Sequence, residues 1–320
     1  MPPLAYDPAF AEATEPILAA RNATPAAPVH DVETRRNRIT SLYWACFQNL
    51  PETPDVETQN YTFKSFDGEP RTIIRYWKKS TTNTTQAVFH THGGGTIQGY
   101  AELFAPYLKN QVQETGIPIF TVDYRLAPEH PHPTPEEDCY AGLTWLYEHA
   151  AEFGVDKSRI ATMGESAGGR LALVMSIMAR DRKLSPPLAK QVLIYPMLDD
   201  RNTVPNPVLE PLAFWNNDDN ITAWTALLGK DVIGTDRVSA YAAPARLQNV
   251  EGLPPTYIDV GELDTFRDED IALAGRIAAA NISVELHVYP GLPHAFEVFA
   301  PFLDVTKRAM ADRMRAYSTL

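Results

Sequence analysis

The chain changes its hydrophobic rhythm near Tyr61. Up to about Pro54 it is rich in Ala, Glu and Pro, and Val32 to Leu50, VETRRNRITSLYWACFQNL, carries apolar residues at helical spacing after a charged turn. That part predicts a helical N-terminal extension. From Tyr61 onward short runs of strand character take over: YTFKSF, RTIIRYW, AVFHTH, IPIFTVDY, RIATMGE, QVLIYP, PTYIDVG and VELHVYP. The first two alternate and lie close together, as an antiparallel edge does. The later ones are separated by amphipathic stretches of helical length, such as TPEEDCYAGLTWLYEHAAEF.

Strands alternating with helices predict an α/β fold, a mainly parallel central sheet with helices on both faces. One interval breaks the alternation. From about Asp200 to Ala240 the chain carries Pro, Asn, Asp and aromatic residues, including Phe214, Trp215 and Trp224, where a simple crossover helix would have sufficed. Together with the N-terminal helices, this insertion would roof a site at the carboxyl edge of the sheet, where open α/β sheets bind ligands. The expected organisation is a helical cap segment over residues 1–55 and an α/β domain over 56–320 with a cap insertion at about 200–240. No internal repeat or low-complexity tract interrupts it.

Composition narrows the function classes. With 44% hydrophobic and 21% charged residues, the chain can bury a large core. Its formal net charge of -12 would repel a phosphate backbone, so nucleic acid is not an expected partner. Cys46 and Cys139 are too few for a disulfide framework and lack CxxC spacing, which makes a reducing, cytoplasmic location the expectation. No signal peptide is visible and no run of about 18 apolar residues predicts a membrane span. The N-x-[ST] triplets starting at Asn22, Asn60, Asn83, Asn220 and Asn281 are read as chance matches in such a chain.

The sharpest chemical signal is Gly164-Glu165-Ser166-Ala167-Gly168, a G-x-S-x-G pattern placed directly after a predicted strand and opening an apolar helix. A serine on such a turn projects its hydroxyl above the sheet, and small neighbours are needed because the backbone there is crowded. The helix starting at Ala167 aims its free N–H groups at an oxyanion beside Ser166. Serine needs a base and an orienting acid. His294, in VYPGLPHAFEVF, follows a predicted strand and falls at the same carboxyl edge. Asp264, in YIDVGELDTFRDE, lies just beyond another strand, and the order Ser166, Asp264, His294 is the one a nucleophile elbow uses for its triad. Glu262 and Asp268 are rival acids, with Asp268 placed to cap the following helix.

The stretch QAVFHTHGGGTIQGY allows more than one reading. His90 and His92 at i and i+2 could be half of a metal site, yet no third ligand lies at a matching spacing. The lysine of a phosphate loop is missing as well. Three glycines after a strand suit an oxyanion loop, where backbone N–H groups converge. His92 is then expected to prop the loop and His90 to pack in or beside the sheet; no metal ligand is assigned.

Together HGGG (His92 to Gly95), DYRLAPEHP (Asp123 to Pro131), GESAGG (Gly164 to Gly169) and the pair GELDTFRDE and HAF resemble the hormone-sensitive-lipase-like family of α/β-hydrolase carboxylesterases. The similarity runs from about residue 60 to the end. It implies that Ser166 is the nucleophile, His294 the general base and acid, and Asp264 its orienting carboxylate. Gly93, Gly94 and Ala167 would supply the oxyanion N–H groups, with Gly95 completing the loop. Asp123, Arg125 and Glu129 would form a charge-assisted network bracing the loop near the nucleophile turn. Tyr43, Trp44, Phe47, Phe214, Trp215 and Trp224 become pocket candidates, Trp44, Phe214, Trp215, Gly95 and Thr96 being the assigned substrate contacts. The chain departs from the family at Thr96, where an aromatic residue is usual, and at Arg170, where a small or neutral one is usual.

The expected activity is hydrolysis of a small to medium carboxylic ester by a monomer or homodimer, without metal or organic cofactor. The same residues would serve a lactonase, an amidase or a thioesterase-like enzyme. A non-catalytic small-molecule receptor on this scaffold is the remaining alternative, against which the complete set of Ser166, Asp264 and His294 argues.

Overall fold

A computed structural model describes residues 3–47, 49–80 and 85–320, so the triplet starting at Asn83 lies outside the described residues. Every run read as a strand is one: β1 (Val56–Lys64), β2 (Pro70–Lys78), β3 (Thr85–Thr91), β4 (Ile119–Asp123), β5 (Val155–Glu165), β6 (Lys190–Ile194), β7 (Thr256–Gly261) and β8 (Val284–Tyr289). They form an 8-stranded sheet in the order β1-β2-β4-β3-β5-β6-β7-β8. The β1–β2 and β2–β4 pairs are antiparallel, and all pairs from β4 to β8 are parallel.

Burial follows position in the sheet. β3, β6 and β7 are buried along nearly their whole length because helices cover both faces, whereas β1 at the edge exposes much of one side. The helices are α1 (Pro8–Ala13), α2 (Glu15–Ala23), α3 (Val32–Phe47), α4 (Ala105–Thr115), α5 (Thr134–His149), α6 (Ala167–Asp181), α7 (Asn217–Leu228), α8 (Arg267–Ala279), α9 (Phe296–Phe299) and α10 (Asp304–Ser318). One core layer packs α5, α6 and α8 on the sheet; the opposite layer packs α4 and α10, joined by Phe10 and Phe47 from the N-terminal helices. A third cluster, around Trp215 and Trp224, lies within the insertion and reaches Ala167 and Phe266.

Two arginines of α3 fix the N-terminal helices over the carboxyl edge. Arg35 Nε bonds Asp219 of α7 at 2.8 Å. Arg36 donates to the carbonyls of Ile97 and Ala127 at 2.5 and 2.9 Å and to both oxygens of Glu129 at 2.7 and 2.6 Å. The network expected among Asp123, Arg125 and Glu129 is therefore corrected. Arg125 pairs with Asp138 and Asp67, Glu129 turns to Arg36, and Asp123 accepts from the Ala101 amide at 3.0 Å. Each braces the same region through a partner distant in the chain.

The turn between β5 and α6 depends on close backbone approach. A Cβ on Gly164 would collide with the Gly168 carbonyl and the Thr91 oxygen, and one on Gly168 with the carbonyls of Thr91 and His92. Backbone cannot step aside as a flexible side chain can, so Gly168→Ala is expected to destabilise by about 3 kcal/mol or more. In contrast, a Cβ on Gly275 of α8 meets nothing within 4 Å. Gly275→Ala is expected to stabilise by roughly 0.5–1 kcal/mol, the ordinary helix gain. Paired thermal and urea unfolding of the two variants checks both signs.

Candidate active site

Ser166 sits at the turn with φ 57° and ψ -120°, a conformation that costs a non-glycine residue about 1–3 kcal/mol. Its neighbours hold it there. The Ser166 amide donates to Ile194 O at 2.8 Å, and its carbonyl accepts from Arg170 and Met197 at 3.0 and 3.1 Å. The loops after β7 and β8, at the same end of the parallel strands, bring up Asp264 and His294. His294 Nε2 lies 3.0 Å from Ser166 Oγ, and His294 Nδ1 lies 2.6 Å from Asp264 Oδ2. Asp264 is fully buried and its second oxygen accepts from the Phe266 amide at 2.9 Å. The edges and faces of Tyr195 and Phe266, 4.5 and 5.2 Å from the imidazole, hold the ring in place.

The rival acids are engaged elsewhere. Glu262 accepts from the Gly291 amide at 2.9 Å, and Asp268, 70% exposed, pairs with Arg267. Asp268 does not cap α8; it lies in the first turn, where its charge meets the positive end of the helix.

The HGGG loop follows β3 and passes directly over Ser166. Gly94 has φ +122°, and a side chain there would strike Gln98; Gly95 has φ +61° and packs its bare Cα against the Trp215 ring. The amides of Gly93, Gly94 and Ala167 donate to no acceptor among the described residues. They are free to bind oxygen beside Ser166. His92 is buried, which pushes its imidazole down to about 4, so the neutral ring donates from Nδ1 to Gly93 O at 2.8 Å. Its ring also stacks on Tyr124 at 4.3 Å. His90 bonds Thr121 through Nδ1 and Glu165 through Nε2, both at 2.9 Å. Among the described residues the grouping with metal-ligand spacing is Glu285, His287 and Asp312, in which Arg315 already bridges the two carboxylates.

Two small lobes open beside Ser166. One runs past Gly93 to Tyr195, Glu165 and Glu297; the other runs past Gly94 to Phe214, Trp215, His294 and Phe299. A larger recess lies between the 199–217 segment and the start of α8 and touches none of Ser166, Asp264 or His294.

Several pocket assignments need correcting. Trp44 lines neither lobe and is 55% exposed, because one residue along a helix turns a side chain by about 100° and it is Tyr43 and Phe47 that face inward. Trp224 is buried under the insertion with Arg170 over its ring at 5.9 Å. Gly95 serves the packing of Trp215. Thr96, with φ 63°, does not line either lobe; its hydroxyl accepts from Arg170 Nη2 at 3.2 Å. The two departures from the family pattern thus meet each other. Sequence reading missed Glu165, Tyr195 and Glu297 as lobe residues, although Glu165 stands inside the G-x-S-x-G pattern itself.

Arg170, fully buried, also bonds Glu136 Oε1 at 2.5 Å and Ala242 O at 2.8 Å, while His132 reaches Glu136 Oε2 at 3.1 Å. Burial pushes the Glu136 carboxyl up, but Arg170 and His132 outweigh it and hold the group below its usual range.

A serine on a strand-to-helix turn of an α/β sheet, in hydrogen-bond reach of a histidine that meets a buried aspartate, and set beneath a glycine loop, defines a class. The chain belongs to the α/β hydrolase fold family, whose profile matches residues 88–298. Its relatives are carboxylesterases. It is 33% identical to carboxylesterase NlhH of Mycobacterium tuberculosis over 89% of each chain, and 33% identical to esterase LipI of the same organism over 84% of this chain and 82% of that one. The solved structure of a bacterial heroin esterase superposes with a TM-score of 0.88 at 34% identity, covering 98% of this chain and 97% of that one.

The buried Arg170–Glu136 pair gives two stability predictions. Arg170→Met leaves the buried Glu136 with the His132 imidazole in place of a guanidinium and is expected to cost roughly 3 kcal/mol, most of which Arg170→Met with Glu136→Leu recovers. Since the Glu136 carboxyl is held below 4.5 in the folded chain, its contribution is complete above that pH and is lost as pH falls through the lowered value. Glu136→Gln is therefore expected to flatten this part of the acid-unfolding curve, read by urea denaturation at successive pH values.

Proposed function

We propose that Ser166 is the nucleophile of a serine carboxylester hydrolase, with His294 its base and acid and Asp264 the carboxylate that orients and stabilises the imidazolium. The observation that carries this reading is the unbroken chain from Ser166 Oγ through His294 to buried Asp264, at 3.0 and 2.6 Å, beside three unengaged amides. His294 Nε2 takes the serine proton as Oγ attacks the ester carbonyl. The amides of Gly93, Gly94 and Ala167 bind the tetrahedral oxyanion. His294 then delivers the proton to the departing alkoxide, and a water, deprotonated by the same nitrogen, releases the acid from the acyl-enzyme. These steps use only groups of this chain and water.

The proton route orients the substrate. The leaving oxygen must lie toward His294, so the alcohol occupies the lobe with Phe214, Trp215 and Phe299, and the acyl group occupies the lobe with Gly93, Glu165 and Tyr195. We read α1 to α3 and the 200–240 segment as the cap that walls both. Small lobes favour compact esters over long-chain lipids.

Three measurements check the reading. Ser166→Ala is expected to lower kcat for a short-chain p-nitrophenyl ester by roughly four or more orders of magnitude, and Asp264→Asn by about four. A fluorophosphonate probe should label the wild type at Ser166 and fail on Ser166→Ala. Ester hydrolysis retained in full by that variant, or a wild type that resists the probe, would overturn the assignment and favour a binding protein.

A further inference from the structure

We propose that the acyl lobe is a cation site: the esters this protein turns over carry a compact protonated amine on the acid side. The proposal rests on Ser166 as nucleophile and deepens it by naming the substrate class. It starts from two carboxylates that the hydrolytic steps do not use. Glu165 and Glu297 both line the lobe beside Ser166 and are each only 4% exposed.

Each carboxylate has one engaged oxygen and one idle oxygen. Glu165 Oε2 is bonded to His90 Nε2 at 2.9 Å, and Glu297 Oε1 accepts from the Tyr195 hydroxyl and pairs with Arg313 Nη1 at 2.9 Å. Glu165 Oε1 and Glu297 Oε2 are buried without a hydrogen-bond partner among the described residues. Buried acceptors are almost always satisfied, so two idle ones on residues that line one cavity point to a donor that arrives with the ligand.

The charge balance says what kind of donor. Arg313 is shared, since it also bonds both oxygens of Asp259 at 2.6 and 2.9 Å, so a single guanidinium faces two carboxylates. Around the lobe stand the rings of Tyr43, Phe47, Phe104, Tyr107 and Tyr195. Burial, then Glu297, then Glu165 push the Tyr43 hydroxyl well above its usual range, which places both carboxylates within electrostatic reach of the same group. Aromatic walls with excess carboxylate favour an ammonium, which has three donors, no acceptor and an attraction for ring faces. The net charge of -12 draws such a substrate in.

The test compares isosteric p-nitrophenyl esters with the wild-type protein at neutral pH: 3-aminopropanoate, which is protonated, butanoate, and the neutral donor 3-hydroxypropanoate. Each kcat/KM is divided by the rate constant for hydroxide hydrolysis of the same ester, which removes intrinsic reactivity. The proposal expects the amine to lead butanoate by roughly tenfold or more after this correction. Glu165→Gln and Glu297→Gln, tested singly, should each shrink that lead, and any effect of either change on Ser166 is common to both esters and cancels. A corrected lead that is absent, that the hydroxyl ester matches, or that folded variants leave untouched overturns the cation site while ester hydrolysis stands. Should either variant fail to fold, the wild-type comparison still decides. Failure of the wild type to hydrolyse any of the three, with no fluorophosphonate labelling, overturns instead the assignment of Ser166.

Discussion

The structure around the site depends on one strained residue. Ser166 is held at φ 57° only because backbone from β3, β6 and α6 closes on it from every side. The strain is offset by the bonds to Ile194, Met197 and Arg170 and by contacts that exist only where Gly164 and Gly168 carry no side chain. The same closeness fixes where the loop amides lie relative to Ser166. A Cβ on Gly93 would come 3.0 Å from Glu165 O, so the loop bearing the free amides rests directly on the nucleophile turn. Shape around Ser166 is thus set by backbone packing, which in the proposed reaction would reorganise little when charge develops.

Around this centre, long-range positions are set by buried or half-buried arginines, each tying segments far apart in sequence. Arg170 joins α6 to α5 and to the oxyanion loop; Arg313 joins α10 to β7 and α9; Arg35 joins α3 to α7; Arg125 joins the segment after β4 to α5. A planar guanidinium suits this task because it offers several donors in a fixed fork and can satisfy a carboxylate and a carbonyl together. Such pairs add little net stability over an apolar core. What they add here is register: the Arg170 contact to Thr96 links the nucleophile helix to the very loop whose amides face Ser166.

This division explains what could be read from the chain alone. Strands and their order of appearance follow from local periodicity, and the glycine patterns around Ser166 and after His92 encode backbone constraints within a few residues. That Ser166, Asp264 and His294 meet was readable because each lies just past a strand end. Side-chain partnerships were not. Thr96 and Arg170 looked like two unrelated oddities until the fold brought them to 3.2 Å. The choice between Tyr43 and Trp44 turned on the rotation of α3, which its weak amphipathic pattern does not specify and which Arg35 and Arg36 fix through tertiary bonds.

Glu165 shows why a motif can hide a second role. Inside G-x-S-x-G, the residue before the serine ends β5, and its side chain takes one direction out of the crowded turn. In this chain that direction leads to His90 across the neighbouring strand and to the wall of the lobe beside Gly93. A hydrophobic residue would fill the same space without a charge to satisfy. Retaining a carboxylate there, with one oxygen bonded and the other idle next to the reacting serine, imposes a desolvation cost that packing alone does not repay. On the proposal of a cation site, that cost is recovered when the substrate supplies the missing donor, and the residue beside Ser166 would then also select the substrate.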